Sequence, residues 1–243
     1  MKIVAIIQAR TGSTRLPNKI FKSLAGKPLI THVIDRLRYS KYLNDIIIAT
    51  TIAKNDDSIE KWANKNGVSV FRGSEDNVLE RYCLAARHFD VDIIARITSD
   101  DPFKDYRILD KAIEKLIDEK YDFVCNNNPV SFPEGLDVEV LTRAALENSY
   151  TNTESDFERE HVTQYIHKNP DKFKIFNIRN LKNLSSYRWT IDTKDDYIFV
   201  SEVYNRLYKE GELFLSEDIY DLLDTDSTLL EINKDVKKSD LYR

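Results

Sequence analysis

Two hydrophobic periods alternate along the first half of this chain. Short apolar, β-branched runs at residues 3–7, 45–50, 68–71, 91–98 and 121–125 read as buried strands. Between them, apolar positions recur every three or four residues. In 28–39, Leu29, Ile30, Val33, Ile34 and Leu37 share one helical face, and Pro28 sits where a first turn tolerates it. Residues 57–66, 77–89 and 106–120 predict further helices; Gly67 suits the position just past the first of them. Such alternation demands right-handed crossovers and a mostly parallel sheet with helices on both faces. Ligands of such sheets sit beyond the carboxyl ends of the strands.

The pattern changes after residue 125. NNNPVSFPEGLDVEVL holds turn formers and then an alternating strand at 137–141. Residues 143–150, 157–167, 195–209 and 217–223 predict helices, and 173–179 and 187–191 predict strands. No hinge composition separates this half. The expectation is one domain over 1–243, a half at 1–125 that builds the parallel sheet and a half at 126–243 that extends it.

Composition narrows the class. A chain of 243 residues with 42% hydrophobic and 32% charged residues is ordinary for a globular protein. The longest apolar runs fall far short of a membrane span, and the N-terminus has no secretory pattern. Cys83 and Cys125 both lie in apolar surroundings and read as buried thiols, so a cytoplasmic location is expected. A net charge of −5 argues against broad nucleic-acid binding but leaves room for a local basic pocket.

That pocket begins in IIQARTGSTRLPNK, residues 6–19. The first strand delivers a loop with Gly12, Ser13 and Thr14 and three cations, Arg10, Arg15 and Lys19. Small residues let backbone amides approach phosphates, and the cations neutralise the oxygens. The other reading is a plain loop with solvated basic residues. Neither a Walker A loop nor GxGxxG is present. Asp100 and Asp101 follow the fourth strand in ITSDDPF; Asp192 closes RWTID. Two carboxylates from two strand ends suit a magnesium ion on a triphosphate; equally, Asp before Pro102 suits a turn, and Asp192 or Thr193 suits a helix cap. Glu134, Asp137 and Glu139 surround Gly135, the last two on one strand face, where they would orient sugar hydroxyls or simply meet solvent. Glu160 and His161 fall on a predicted helix, but their surroundings lack the spacing of a zinc site, and no nucleophile motif suggests a covalent mechanism.

IIQARTGSTRLPNK resembles the opening signature of the cytidylyltransferases that make CMP-activated acidic sugars, the CMP-sialic acid and CMP-Kdo synthetases. FRGSEDNVLERY, RITSDDPF, FPEGLDVEVL, EREHVTQYI and RWTIDTKDDY resemble, in order, segments of the SpsF-type branch. The resemblance implies a Rossmann-like α/β nucleotidyltransferase fold. It implies CTP contacts from Gln8, Ala9, Arg10, Gly12, Ser13, Arg15, Lys19, Arg72, Asp76 and Thr98, and Mg²⁺ on Asp100 and Asp192. Asn18 stands where relatives usually have Gly, which puts that turn's backbone in question.

The expected activity is transfer of CMP from CTP to a small anionic acceptor, a sugar acid or phosphorylated metabolite, with release of pyrophosphate, in cell-surface polysaccharide precursor synthesis. Arg10, Arg15, Lys19 and Asp100 would carry catalysis; Glu134, Asp137, Glu139, Glu160, His161 and Arg188 would meet the acceptor. The resemblance also implies a homodimer. A nucleotide-sugar glycosyltransferase of the GT-A type shares the sheet and the acidic metal motif but needs no triphosphate-gripping loop beside its first strand. A non-catalytic nucleotide sensor is a third class, which would bind nucleotide and form no product.

Overall fold

The computed structural model describes residues 1–238. Its seven-stranded sheet runs β5 (Ser69–Gly73), β4 (Asp45–Thr51), β1 (Ile3–Gln8), β6 (Ile93–Thr98), β8 (Glu139–Thr142), β7 (Phe123–Cys125), β9 (Ile175–Asn177). The first four strands are parallel neighbours, β7 and β9 pair in parallel, and β8 alone runs antiparallel, between β6 and β7. A two-stranded hairpin, β2 (Ser23–Leu24) and β3 (Lys27–Pro28), precedes α1 (Leu29–Leu37). The expected mostly parallel α/β sheet is therefore present, and the second half extends it.

Alternation along β1 explains the two cores. Ile3, Ala5 and Ile7 face one layer, and Val4 and Ile6 face the other. The first layer is closed by α1, α2 (Asp57–Lys65), α4 (Tyr106–Asp118), α8 (Lys194–Leu207) and α9 (Ser216–Thr225). The second is closed by α3 (Val78–His88), α5 (Arg143–Asn152) and α7 (Gln164–Lys168). Cys83 and Cys125 are buried thiols, as expected. Among the described residues no helix is long and apolar enough to cross a membrane.

Two expected elements differ. The helix at 157–167 is broken into α6 (Asp156–Glu160) and α7, because Val162 adopts φ 50° and buries its side chain while Thr163 donates 2.8 Å to the buried Glu139 carboxylate. Residues 187–191 form no strand. They are tied as an irregular segment by a single bridge between Glu134 and Arg188, and by Ile191 N donating 2.9 Å to Asp100 O. Gly135 makes that approach possible. At φ 107°, a Cβ there would lie 2.8 Å from the Trp189 carbonyl carbon and 2.9 Å from Thr190 N.

At the β6–β8 join, Arg96 and Glu139 are register partners and form an ion pair. This cross-strand contact places both beneath the carboxyl end of β6, beside the site.

Candidate active site

The loop after β1 is held from beneath. Asp56 accepts from Thr11 N at 2.8 Å, Thr11 Oγ1 at 2.7 Å and Thr51 Oγ1 at 2.5 Å. Burial opposes the Asp56 charge, but these donors hold its carboxyl below the usual range. Asn18 N closes the loop on Thr11 O at 3.1 Å. Asn18 itself is left-handed at φ 54°, a conformation that Gly adopts freely and Asn tolerates, so this turn keeps a backbone open to either residue.

The loop delivers Lys19 to the centre of the site. Its Nζ lies 2.6 Å from Asp100 Oδ2, 2.8 Å from Asp192 Oδ1 and 3.0 Å from Ile191 O. Two carboxylates 92 positions apart thus converge on one ammonium. Burial disfavours charge on Lys19, yet Asp100 and Asp192 outweigh it and raise its pKa. Burial raises Asp100, reinforced by the neighbouring Asp101 and Asp192 charges and opposed by Lys19. Burial also opposes charge on Asp192, but Lys19, Arg15 and Arg188 hold its pKa down. Arg15 Nη2 approaches Asp192 Oδ2 at 3.2 Å from the open side.

These groups floor a cavity of about 1090 Å³ walled by Gln8, Ala9, Arg10, Ser13, Arg15 and Asp76 among others. A second cavity of about 370 Å³ adjoins it, walled by Asp101, Asn127, Glu134, Asp137, Glu139 and His167 among others. Gln8, Thr98, Asp100, His161 and Asp192 line both. The arrangement joins a trough lined by charges of both signs, sized for a nucleotide, to a smaller acid-rich hollow, with the carboxylate pair at the junction.

Most of the expected site residues come together here, and four, Arg72, Arg188, Gly12 and Glu160, lie elsewhere than expected. Arg72 lies outside both cavities: its guanidinium is engaged by Asp57 at 2.7 Å, Glu60 at 2.8 Å and two backbone carbonyls. Arg188 is 6% exposed and lines neither cavity. It sits behind the site, binding Glu134 at 2.7 Å, Asp196 at 2.8 Å and Asp192 at 3.1 Å, so it orients a carboxylate. Gly12 does not line the trough; a Cβ there would lie 3.9 Å from Glu75 Oε1. Glu160 lines only the larger cavity, whereas Glu134, Asp137 and Glu139 line the smaller one. His161 stands between them, and burial lowers its pKa, favouring the neutral ring.

Sequence reading missed several groups. Asp196, fully buried, caps α8 through Thr193 and fixes Arg188. Lys104 pairs with Asp101 at 2.9 Å beneath the acid-rich hollow. Arg81, on α3, lines the larger cavity. Only the T-x-x-D spacing of the α8 cap was visible in advance.

Among the described residues no cluster of three or more His, Cys, Asp or Glu side chains is placed to hold a metal by itself. The carboxylate pair nonetheless suits Mg²⁺. The donors are hard oxygens, already gathered about one positive charge, and Mg²⁺ in nucleotide sites takes one or two carboxylates and completes its shell from phosphates and water.

Comparison with known proteins agrees with this geometry. A family model described as cytidylyltransferase matches residues 4–226. An uncharacterised protein of Methanocaldococcus jannaschii is 40% identical over 242 residues, covering 98% of this chain and 97% of that protein. The spore coat polysaccharide biosynthesis protein SpsF of Bacillus subtilis is 34% identical over 240 residues, covering 96% and 95%. The solved structure of a cytidylyltransferase from Leptospira borgpetersenii superposes with a TM-score of 0.90 at 33% identity, covering 98% and 99%. With the loop after β1, the paired carboxylates and the sheet all in place, the chain belongs to the cytidylyltransferase family and is a CTP-dependent nucleotidyltransferase.

Proposed function

We propose that the protein transfers CMP from CTP to an oxygen of a small anionic acceptor, a sugar acid or phosphorylated metabolite, and releases pyrophosphate, in cell-surface polysaccharide precursor synthesis. The observation that carries this reading is the convergence of Asp100 and Asp192 on Lys19 beneath the β1 loop. The polysaccharide context rests on similarity to SpsF.

In this reading the triphosphate lies along the β1 loop, with Arg10, Arg15 and Lys19 neutralising its oxygens. Asp100 and Asp192 would hold Mg²⁺, which supplies Lewis-acid stabilisation of charge on the phosphate oxygens. The acceptor occupies the smaller cavity, where Asp137 and Glu139 accept hydrogen bonds from its hydroxyls. Its nucleophilic oxygen attacks the α-phosphorus in line, and charge grows on the oxygen bridging to the β-phosphate. Lys19, freed from its two carboxylates, turns to that charge. Arg188 keeps Asp192 aligned throughout, from the protein side.

The test is pyrophosphate release from CTP and Mg²⁺ across a panel of sugar acids and phosphorylated metabolites. At least one acceptor should give stoichiometric pyrophosphate and a CMP conjugate. CTP binding without any such product overturns transfer in favour of a sensor, and turnover of a nucleotide sugar overturns it in favour of glycosyl transfer.

A further inference from the structure

Asn233 is a buried polar side chain for which the transfer scheme above has no use. It lies beyond residues 4–226, the stretch that matches the family, and follows a short 3₁₀ helix at Ser227–Glu231. The residue is 7% exposed. Its Nδ2 donates to the Arg188 carbonyl at 3.0 Å and to Asp196 Oδ1 at 3.2 Å. Both partners are acceptors, so the amide nitrogen and not the amide oxygen faces them. On one side of Asn233, Leu229 is buried in the core; on the other, Lys238 donates to the carbonyl of Ser185. This segment is therefore fastened along the irregular stretch that ends in Asp192.

The fastening matters because Arg188 serves three carboxylates with one guanidinium. Nη1 binds Glu134 at 2.7 Å and Nε binds Asp196 Oδ1 at 2.8 Å. Nη2 is shared, 3.1 Å from Asp196 Oδ2 and 3.1 Å from Asp192 Oδ2. Asp196 is fully buried, so its two oxygens must find their donors within the protein. Oδ2 also accepts from the backbone N–H groups of Asp192 at 3.1 Å and Thr193 at 2.9 Å. Oδ1 accepts from Arg188 Nε and from Asn233. With Asn233 removed, Oδ1 leans on Arg188, and the guanidinium is drawn toward Asp196 and away from the bond it shares with Asp192. The Arg188 carbonyl loses its donor in the same step. Asp192 then keeps Lys19 and Arg15 on its open side but loses the contact that orients it from behind.

We propose that Asn233 is a positioning residue for the transfer reaction: by completing the donors of Asp196 it fixes Arg188, and so holds Asp192 in the orientation that a divalent ion requires. This rests on the nucleotidyl-transfer reading, with Asp192 as a ligand of the metal. Hydrogen-bond partners behind a metal ligand set its orientation, and their loss typically costs about 10–100-fold in metal affinity or activity.

Asn233→Leu roughly conserves volume and removes both donors. The test is titration of the wild type, Asn233→Leu, Asp192→Asn and the double variant with Mn²⁺ alone, followed by loss of the free-ion electron paramagnetic resonance signal. Thermal melts and pyrophosphate-release kinetics are measured alongside. Asn233→Leu should bind Mn²⁺ about tenfold more weakly than wild type. At saturating metal its kcat should fall by about tenfold, with KM for CTP within about twofold of wild type. In the Asp192→Asn background the same change should alter Mn²⁺ affinity by less than about twofold, because Asn233 acts through Asp192. Asn233→Ala carries the same expectations if the Leu variant does not fold. A folded variant that melts earlier but keeps wild-type Mn²⁺ affinity and kcat overturns the proposal and makes Asn233 a packing residue. So does an equal loss of affinity in both backgrounds, or a gain in affinity. A wild type that binds Mn²⁺ and CTP but forms no product with any acceptor overturns the transfer reading, while the Mn²⁺ cycle still decides whether Asn233 orients Asp192.

Discussion

Lys19 is an internal counter-ion and, in the proposed transfer, the residue on which phosphate chemistry depends. Replacing it by Ala removes one preorganised cation, and turnover should fall by about 10²–10³, equivalent to roughly 3–4 kcal/mol, with the fold retained. The same variant exposes Asp100 and Asp192 without their ammonium. Titration with Mn²⁺ alone should therefore show tighter metal binding than wild type, opposite in direction to the loss of activity. Glu139 gives a pH prediction. Burial alone would raise its carboxyl, but Arg96, His167 and Thr163 outweigh burial and hold it well below the usual 4.5. A carboxyl depressed in the folded state stabilises fully above its unfolded pKa and loses that contribution as the pH falls. Melting temperatures should thus drop as the pH is lowered from about 4.5, and Glu139→Gln should flatten that acid limb.

At the scale of elements, Gly135 sets the placement of the irregular segment that ends in Asp192. Gly135→Ala adds a Cβ against the Trp189 and Thr190 backbone at φ 107°, and should cost about 2–4 kcal/mol in chemical denaturation and displace Asp192. The parallel strands and their helices were legible in the chain because each carries a clean period: β1 alternates between two cores, and α1 sets Leu29, Val33 and Leu37 on one side. The segment at 187–191 was not legible, because its apolar Trp189 and Ile191 mimic a strand while its backbone is bonded to Glu134 and Asp100. The break at Val162 escaped for a similar reason, since Thr163 answers to a carboxylate 24 positions away. Arg72 and Arg188 show the same limit for the site. An arginine beside a motif can serve a ligand or the protein's own carboxylates, and only the fold tells which.

In the whole molecule, the charges at the site are balanced by protein partners: Lys19, Arg15 and Arg188 surround Asp192, and Lys104 pairs with Asp101. Chelation of divalent ions should therefore abolish turnover yet shift the melting temperature by no more than about 2 °C, whereas CTP with Mg²⁺ at 100 times its Kd should add about 2.7 kcal/mol of stability. The antiparallel join of β6 and β8 has a consequence of another kind. Side chains along a strand alternate between faces, so sliding β8 by one place would turn Glu139 to the face opposite Arg96, break the ion pair and carry a carboxylate into the other core layer. The pair works as a keyed joint. The polar hollow beside it can be assembled in one alignment of the two strands, and a misaligned sheet is rejected before any ligand arrives.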